Sequence, residues 1–568
     1  MSKPRIVARP VPEQAFRALV ESGVPAPLAR IFAARGIDRP GRLDTALGSL
    51  LPIGSLANCE SAGNLLADAI AAQQRLLIVA DYDADGATSC ALGVSTLRAF
   101  GAKVEYLVPN RFEYGYGLTP EIVELAAQKR PDWLITVDNG ISSVEGVDRA
   151  ASLGIKVLIT DHHLPGQALP AAACIVNPNQ PGCAFSSKHL AGVGVMFYVL
   201  LALRAELRRR GHFRTVPEPN LADALDLVAL GTVADVARLD DNNRVLVSQG
   251  LKRIRAGRTR TGVDALFRVA GRDRTRASTY DLAFALGPRL NAAGRLDDMS
   301  VGIECLLASD SAQASDLAGT LDRLNYERRE IEGKMRDAAL EIIERIEVPE
   351  RCSLTLYDQG WHQGVIGVLA SRLKERFHRP VFAFAPGAAG EAKGSGRSIP
   401  GLHLRDAVDL VAKRQPGLVK GFGGHAAAAG VTLRLGDVDA FADAFEDVAR
   451  SLLQPVDLEQ VIETDGSLAE AQPSLALAES IEAQVWGQGF ATPLFLDEFE
   501  VLEQRIVGGR HSRLRLRLPD AGGILEAIQF GEDSPLPPRV RSVYRLQINE
   551  FNGSRSPQLV IQHWEPVG

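Results

Sequence analysis

LLIVADYDADG, residues 76–86, is the stretch on which the reading of this chain turns. Leu76 to Ala80 are apolar or small and read as a buried strand. Asp81, Asp83 and Asp85 follow at every second position. Gly86 lets the chain turn, and ATSCALGVSTLRAF (87–100) reads as a helix. Three carboxylates at a strand tip repel one another unless a cation neutralises them. Hard divalent cations such as Mg²⁺ or Mn²⁺ take oxygen ligands of this kind. Taken alone, the stretch is equally well an Asp-rich turn facing solvent.

The neighbouring sequence decides between the two. From about residue 60 to 180, helix and strand patterns alternate: KVEYLVP (103–109), WLITVDNG (133–140) and KVLITDHH (156–163) are further strands, each preceded by a helix. This rhythm predicts a parallel sheet covered on both faces. Ligands of such sheets gather beyond the carboxyl ends of the strands. Asp138 and Asn139 end one strand, and Asp161, His162 and His163 end the next. Three strand ends thus bring five aspartates and two histidines to one edge. Coincidence of three clusters points to a metal site.

With 568 residues, division by roughly 150 suggests three or four domains. No apolar run approaches the roughly 20 residues of a membrane span, so no membrane association is expected. The segment MSKPRIVARPVPEQ (1–14) has no apolar signal region. Six scattered cysteines without a CxxC pair imply reduced thiols and a cytoplasmic protein. A net charge of −6 means that a nucleic-acid partner needs a local basic surface.

Five regions are expected. Residues 1–50 form an N-terminal helical segment, from AFRALVESG and APLARIFAARG, and 51–310 the catalytic domain. Asp235 ends an apolar helix within it, a weak local signal. Residues 252–276 hold nine Lys or Arg against two Asp and read as a groove wall for phosphates. GPRLNAAGRLDD (287–298) offers Arg289, Asn291 and Arg295 around two glycines as phosphate contacts. Residues 311–349 read as a charged connector helix with an apolar stripe from Leu317 to Ile346. A second, smaller α/β domain spans 350–454, where KGSGRSI and GFGGHAAAAG read as Gly-rich turns that approach an anionic ligand. Residues 455–568 alternate in about five strands, as in an OB-like barrel. Arg513, Arg515 and Arg517 fall on one face of one strand and could track a single-stranded backbone.

DYDADG, VDNG, DHH and GTVADV, in this order, resemble the DHH phosphoesterase family. GPRLNAAGR, SGRSIPG and GFGGHAAAAG narrow the resemblance, and the connector and terminal barrel separate this chain from shorter members that cleave oligoribonucleotides or cyclic dinucleotides. The resemblance implies a two-cation (Mn²⁺ or Mg²⁺) 5′-to-3′ exonuclease on single-stranded DNA, releasing mononucleotides in recombination and repair. It implies Asp83, Asp85, Asp138, His162 and Asp235 as metal ligands, with Asp138 bridging. Asp81 and His163 match positions beside them that orient ligands or the scissile phosphate. Ser395, Arg397 and His425 match residues that hold substrate, and Arg111 one that faces the 5′ end. A single-strand-binding protein, SSB, and a RecQ-type helicase are the implied partners. Two rival readings remain at this point. One is a hydrolase of short oligonucleotides or cyclic dinucleotides, which needs neither barrel nor basic segment. The other is a non-catalytic single-strand-binding protein, which needs no intact carboxylate set.

Overall fold

The structure, a computed structural model, describes residues 4–343, 351–388, 390–424, 426–519, 523–551 and 553–567. Its strands in chain order are β1 (Arg5–Ala8), β2 (Arg75–Ala80), β3 (Lys103–Leu107), β4 (Trp133–Val137), β5 (Lys156–Thr160) and β6 (Cys174–Val176). There follow β7 (Leu354–Tyr357), β8 (Val381–Pro386), β9 (Glu391–Arg397), β10 (Gly421–Gly424), β11 (Ala428–Arg434) and β12 (Val461–Thr464). The last five are β13 (Phe495–Val507), β14 (His511–Arg517), β15 (Ile524–Gln529), β16 (Arg539–Phe551) and β17 (Ser554–Pro566). The chain divides into two compact units, Met1–Val7 with Arg323–Glu463, and Ala8–Asp322 with Thr464–Gly568.

The larger unit holds a five-stranded sheet in the order β3-β2-β4-β5-β6, parallel throughout. Successive strand residues face opposite sides, and both sides are covered, so β2, β4 and β5 are apolar runs rather than alternations. Leu77, Val79, Leu134, Val157 and Ile159 pack with Ile122, Val123, Val147 and Ala150 of two helices on one side. On the other, Gly93 of helix Ala84–Ala99 lies against Ile78 and Met196. The carboxyl ends of these strands therefore open on one edge, as the alternation predicts.

The same unit holds a closed barrel in the order β13-β14-β15-β17-β16. Leu514 and Leu516 point inward and are fully buried, while Arg513, Arg515 and Arg517 point outward together. The chain leading into the barrel is tied to the N-terminal helices. Arg35 and Asp465 form a bidentate pair of 2.5 and 3.0 Å, with both side chains almost fully buried. Phe32, Trp486 and Phe490 stack beside it. Breaking a buried pair leaves one charge uncompensated. Asp465→Ala is expected to destabilise the unit by about 3–5 kcal/mol; a melting temperature within a degree of the parent would refute this.

The smaller unit holds a mixed sheet in the order β10-β11-β9-β8-β7. Here the structure corrects an expectation. KGSGR is not a turn but strand β9, between β8 and β11. Its glycines serve packing: a Cβ on Gly394 or Gly396 would come within 2.3 Å of Phe384 or 2.4 Å of Phe382. GFGG is likewise strand β10, at the sheet edge. The expected connector is an α-helix, Ser311–Ile343, with Leu321, Leu324 and Met335 buried; Ile346 lies outside the described residues.

Two further differences concern the N-terminal end and the charges. The N-terminal segment has its two helices, Glu13–Glu21 and Ala26–Ala33, but also strand β1, which pairs with β12. The Arg5 N–H donates to the Gln460 carbonyl at 2.8 Å, and a partner so distant in sequence leaves no local signal. The basic segment is not an open phosphate wall. Arg253 pairs with Asp223, Arg260 with Asp226, Arg268 and Arg274 with Asp264, Arg272 with Asp281 and Arg276 with Glu550. GPRLNAAGRL forms a helix, Gly287–Leu296.

Candidate metal centre

Asp81 follows β2 directly, and its N–H donates to the Val137 carbonyl at 3.3 Å. Asp83 caps the helix Ala84–Ala99, accepting from the N–H groups of Asp85 and Gly86 at 2.8 and 2.9 Å. Asp85, in the first turn, points the other way. Its carboxylate accepts from the N–H groups of Gly192 and Val193 at 2.7 and 2.9 Å, at the start of helix Gly192–Arg209. Asp138 follows β4 with a left-handed backbone, φ +64°, a conformation that aspartate tolerates better than most residues. Gly192 makes room for it, since a Cβ there would lie 2.7 Å from the Asp138 carboxylate. Asp235 caps the C-terminus of helix Leu225–Ala234.

These side chains converge. His162 Nε2 lies 3.0 Å from Asp138 Oδ1, 3.9 Å from Asp235 Oδ2 and 4.0 Å from Asp85 Oδ2. Three overlapping groups have ligand atoms within 4.8 Å of one another: Asp81–Asp83–Asp138, Asp85–His162–Asp235 and Asp138–His162–His163. The first two share no residue and suit two neighbouring cations, and Asp138 of the first lies 3.0 Å from His162 of the second. Asp81, expected beside the ligands, has a carboxylate oxygen within 4.8 Å of those of Asp83 and Asp138. Asp138 Oδ1 is buried and accepts no well-formed hydrogen bond among the described residues, its near neighbour being His162 Nε2 at 3.0 Å. A buried acceptor left so is costly, and a cation is the natural partner for it. The donor set, oxygen-rich with an imidazole, fits Mn²⁺ or Mg²⁺.

Burial and the surrounding carboxylates strain the ionised state. Burial, then Asp83, raises Asp85 from 3.8 to about 7, against the two backbone N–H groups. Burial, then Asp85 and Asp83, raises Asp138 and Asp235 well above the usual carboxylate range. Asp161 goes the other way: burial would raise it, but the His163 ring and the Ile141 N–H hold it down. In turn Asp161, at 2.8 Å from Nδ1, outweighs burial and raises His163 from 6.5 to about 9. In the metal-free site His163 therefore favours the imidazolium form beside the carboxylates, with the Tyr116 hydroxyl 3.1 Å from its Nε2.

Other expected contacts fare differently. Asn291 Oδ1 accepts from the Ala84 N–H at 2.7 Å, so this side chain holds the DYDADG loop. Gly294 abuts the same loop, where a Cβ would meet the Tyr82 carbonyl at 1.9 Å. Arg289 is engaged by Asp322 at 2.7 Å and by the Ala285 carbonyl, so its guanidinium already has partners where a phosphate was expected. Arg295 lies in the last turn of that helix. Arg111 opens a four-residue helical turn, Arg111–Tyr114; its side chain is outside the described set, as is His425. Ser395 and Arg397 share one face of β9, hydrogen-bonded at 3.2 Å, against Gly367 at the start of helix Ile366–Phe377. Arg513, Arg515 and Arg517 each meet a carboxylate, Glu526, Glu503 or Glu500, so their face is less basic than the strand alone suggests. The sequence reading passed over Asp161 as an orienting group, Tyr116 and Gly192. Asp161 stood in view within the DHH triplet; nothing local marks the other two.

A parallel sheet ending on two cation-sized clusters of carboxylates and histidine defines a metal-dependent phosphoesterase of the DHH class. The DHH family N-terminal domain matches residues 75–232, the DHHA1 domain 350–451 and the RecJ OB domain 464–563. The chain is 52% identical to the single-stranded-DNA-specific exonuclease RecJ of Dickeya dadantii (strain 3937), over 96% of each chain. It is 48% identical to that of Escherichia coli (strain K12), again over 96% of each. The crystal structure of RecJ in complex with Mn²⁺ from Thermus thermophilus superposes with a TM-score of 0.82 at 30% identity, covering 99% of this chain and 79% of that one. The Mg²⁺ complex from the same organism gives 0.76 at 28%, covering 99% and 78%. The chain belongs to the RecJ family.

Proposed function

We propose that this chain is a metal-dependent exonuclease that hydrolyses single-stranded DNA from the 5′ end to mononucleotides. The observation that carries the reading is the pair of disjoint triads, Asp81–Asp83–Asp138 and Asp85–His162–Asp235, at the strand ends. Two divalent cations held there would activate water and neutralise the phosphate oxygens. The protein's own part is to place and charge the groups around them. The Gly192 and Val193 N–H groups orient Asp85. Asp161 fixes the His163 ring through Nδ1 and favours its protonated form, so that a positive charge stands beside the carboxylates and would offset that of a phosphate. No helix among the described residues is long and apolar enough to cross a membrane. Recombination and repair in the cytoplasm, with SSB and a RecQ-type helicase presenting the strand, is the setting this activity fits. The test is digestion of strands labelled at either end, with and without metal. Release of the 5′ label first, only with metal, is expected; metal-independent or 3′-first release refutes it.

The polarity rests on a terminus being recognised, because internal phosphates are alike. A 5′-terminal phosphate carries extra charge, and a rigid guanidinium with a neighbouring hydroxyl suits it. Arg397 and Ser395 supply that pair. Arg397→Ala is expected to lose about tenfold more rate on 5′-phosphorylated than on 5′-hydroxyl strands. Equal loss on both would assign Arg397 to internal phosphates.

A further inference from the structure

Away from the carboxylate cluster, two aromatic rings stand out in solvent. Tyr280 is 52% exposed and Phe284 67%, and their centroids are 4.8 Å apart at 38°. They are held outward by their own backbone. Ser278 and Asp281 form a capping box around Tyr280, and Phe284 sits in a π-helical turn, Leu282–Leu286, whose Leu282, Ala285 and Leu286 face the core. Such π-turns are rare and recur at functional sites. The Arg272 guanidinium lies 5.9 Å from the Tyr280 ring. Arg272 is itself paired with Asp281 at 3.6 Å, so what it offers a base is its flat guanidinium face rather than unspent net charge. The turn also adjoins the metal centre. Gly287, directly after it, packs on Ala234, the residue before Asp235, where a Cβ would lie 3.0 Å away.

We propose that Phe284 and Tyr280, with Arg272, form a base-stacking platform that holds the single strand beside the metal centre. The proposal rests on the single-strand reading above and adds the surface that grips the bases. Every base has a π-face, so two adjacent rings with an arginine bind a strand without regard to sequence.

The test is affinity of the full chain, with chelator to prevent digestion, for a base-bearing strand and for an abasic strand of equal length. Phe284→Leu keeps apolar bulk and removes the ring. It is expected to weaken binding of the base-bearing strand about tenfold and leave the abasic strand unchanged, while Phe284→Trp retains affinity. Tyr280→Leu should act in the same direction, so the outcome does not hang on one variant's folding. Unchanged affinity of both Leu variants for the base-bearing strand, or equal losses on both strands, overturns the platform. If the parent protein binds neither strand and digests neither with metal, the exonuclease reading itself fails; that result is distinct from a binding parent with unaffected variants.

Discussion

Asp138→Asn is expected to lower metal-dependent hydrolysis of a single strand by on the order of 10³-fold, the scale seen when one preorganised electrostatic group is removed. Asp138 belongs to one triad and lies 3.0 Å from His162 of the other, so it is placed to serve both halves of the site. Asparagine is the informative replacement. It tolerates the +64° backbone that alanine would strain, and it keeps the volume that Gly192 accommodates. It also removes a charge from a cluster whose members raise one another, so the chelated variant is expected to melt above the chelated parent at alkaline pH. Near-parental turnover in the purified, folded variant would sink the two-cation arrangement.

Removing the metal is expected to make stability fall with rising pH. Asp85 moves from 3.8 to about 7 on folding, and Asp138 and Asp235 move in the same direction. A carboxyl whose folded value is raised favours the folded state while protonated. Its contribution is complete below about 3.8 and is lost as pH rises through about 7, where the folded protein must carry the buried charge. The chelated protein should therefore lose about 5 °C or more of melting temperature between about pH 5 and about pH 8. Mn²⁺ or Mg²⁺ should restore far more at the upper pH than at the lower, because binding releases protons from these groups. A pH-independent gain on adding metal would mean that the carboxylates are already ionised without it. The Asp138→Asn protein supplies the control, since its chelated melting curve should depend less on pH.

The strand ends that build the site were legible because their signals are local. An apolar run that stops at an aspartate, repeated at Asp81, Asp138 and Asp161, needs only the alternation of helix and strand to place all three on one edge. The barrel was legible for the same reason: period-two alternation put Arg513, Arg515 and Arg517 outward. Glycine was read less well. In KGSGR the spacing of two glycines matches a turn, yet they lie in β9 beneath Phe382 and Phe384, rings that arrive from another strand.

The chain's own order of residues was enough to determine the parallel sheet, the acidic edge, the connector and the barrel, since each follows from periodicity within a dozen or so residues. Tertiary structure alone decided who meets whom. It engaged Arg289 with Asp322, spent much of the basic segment in ion pairs, and joined β1 to β12. It turned Asp85 onto the amides of Gly192 and Val193, more than a hundred residues away, and set Asp138 in a left-handed backbone against Gly192. Such pairings depend on distances closed by the fold, and charge or glycine content in a sequence carries no record of the partner that will satisfy it.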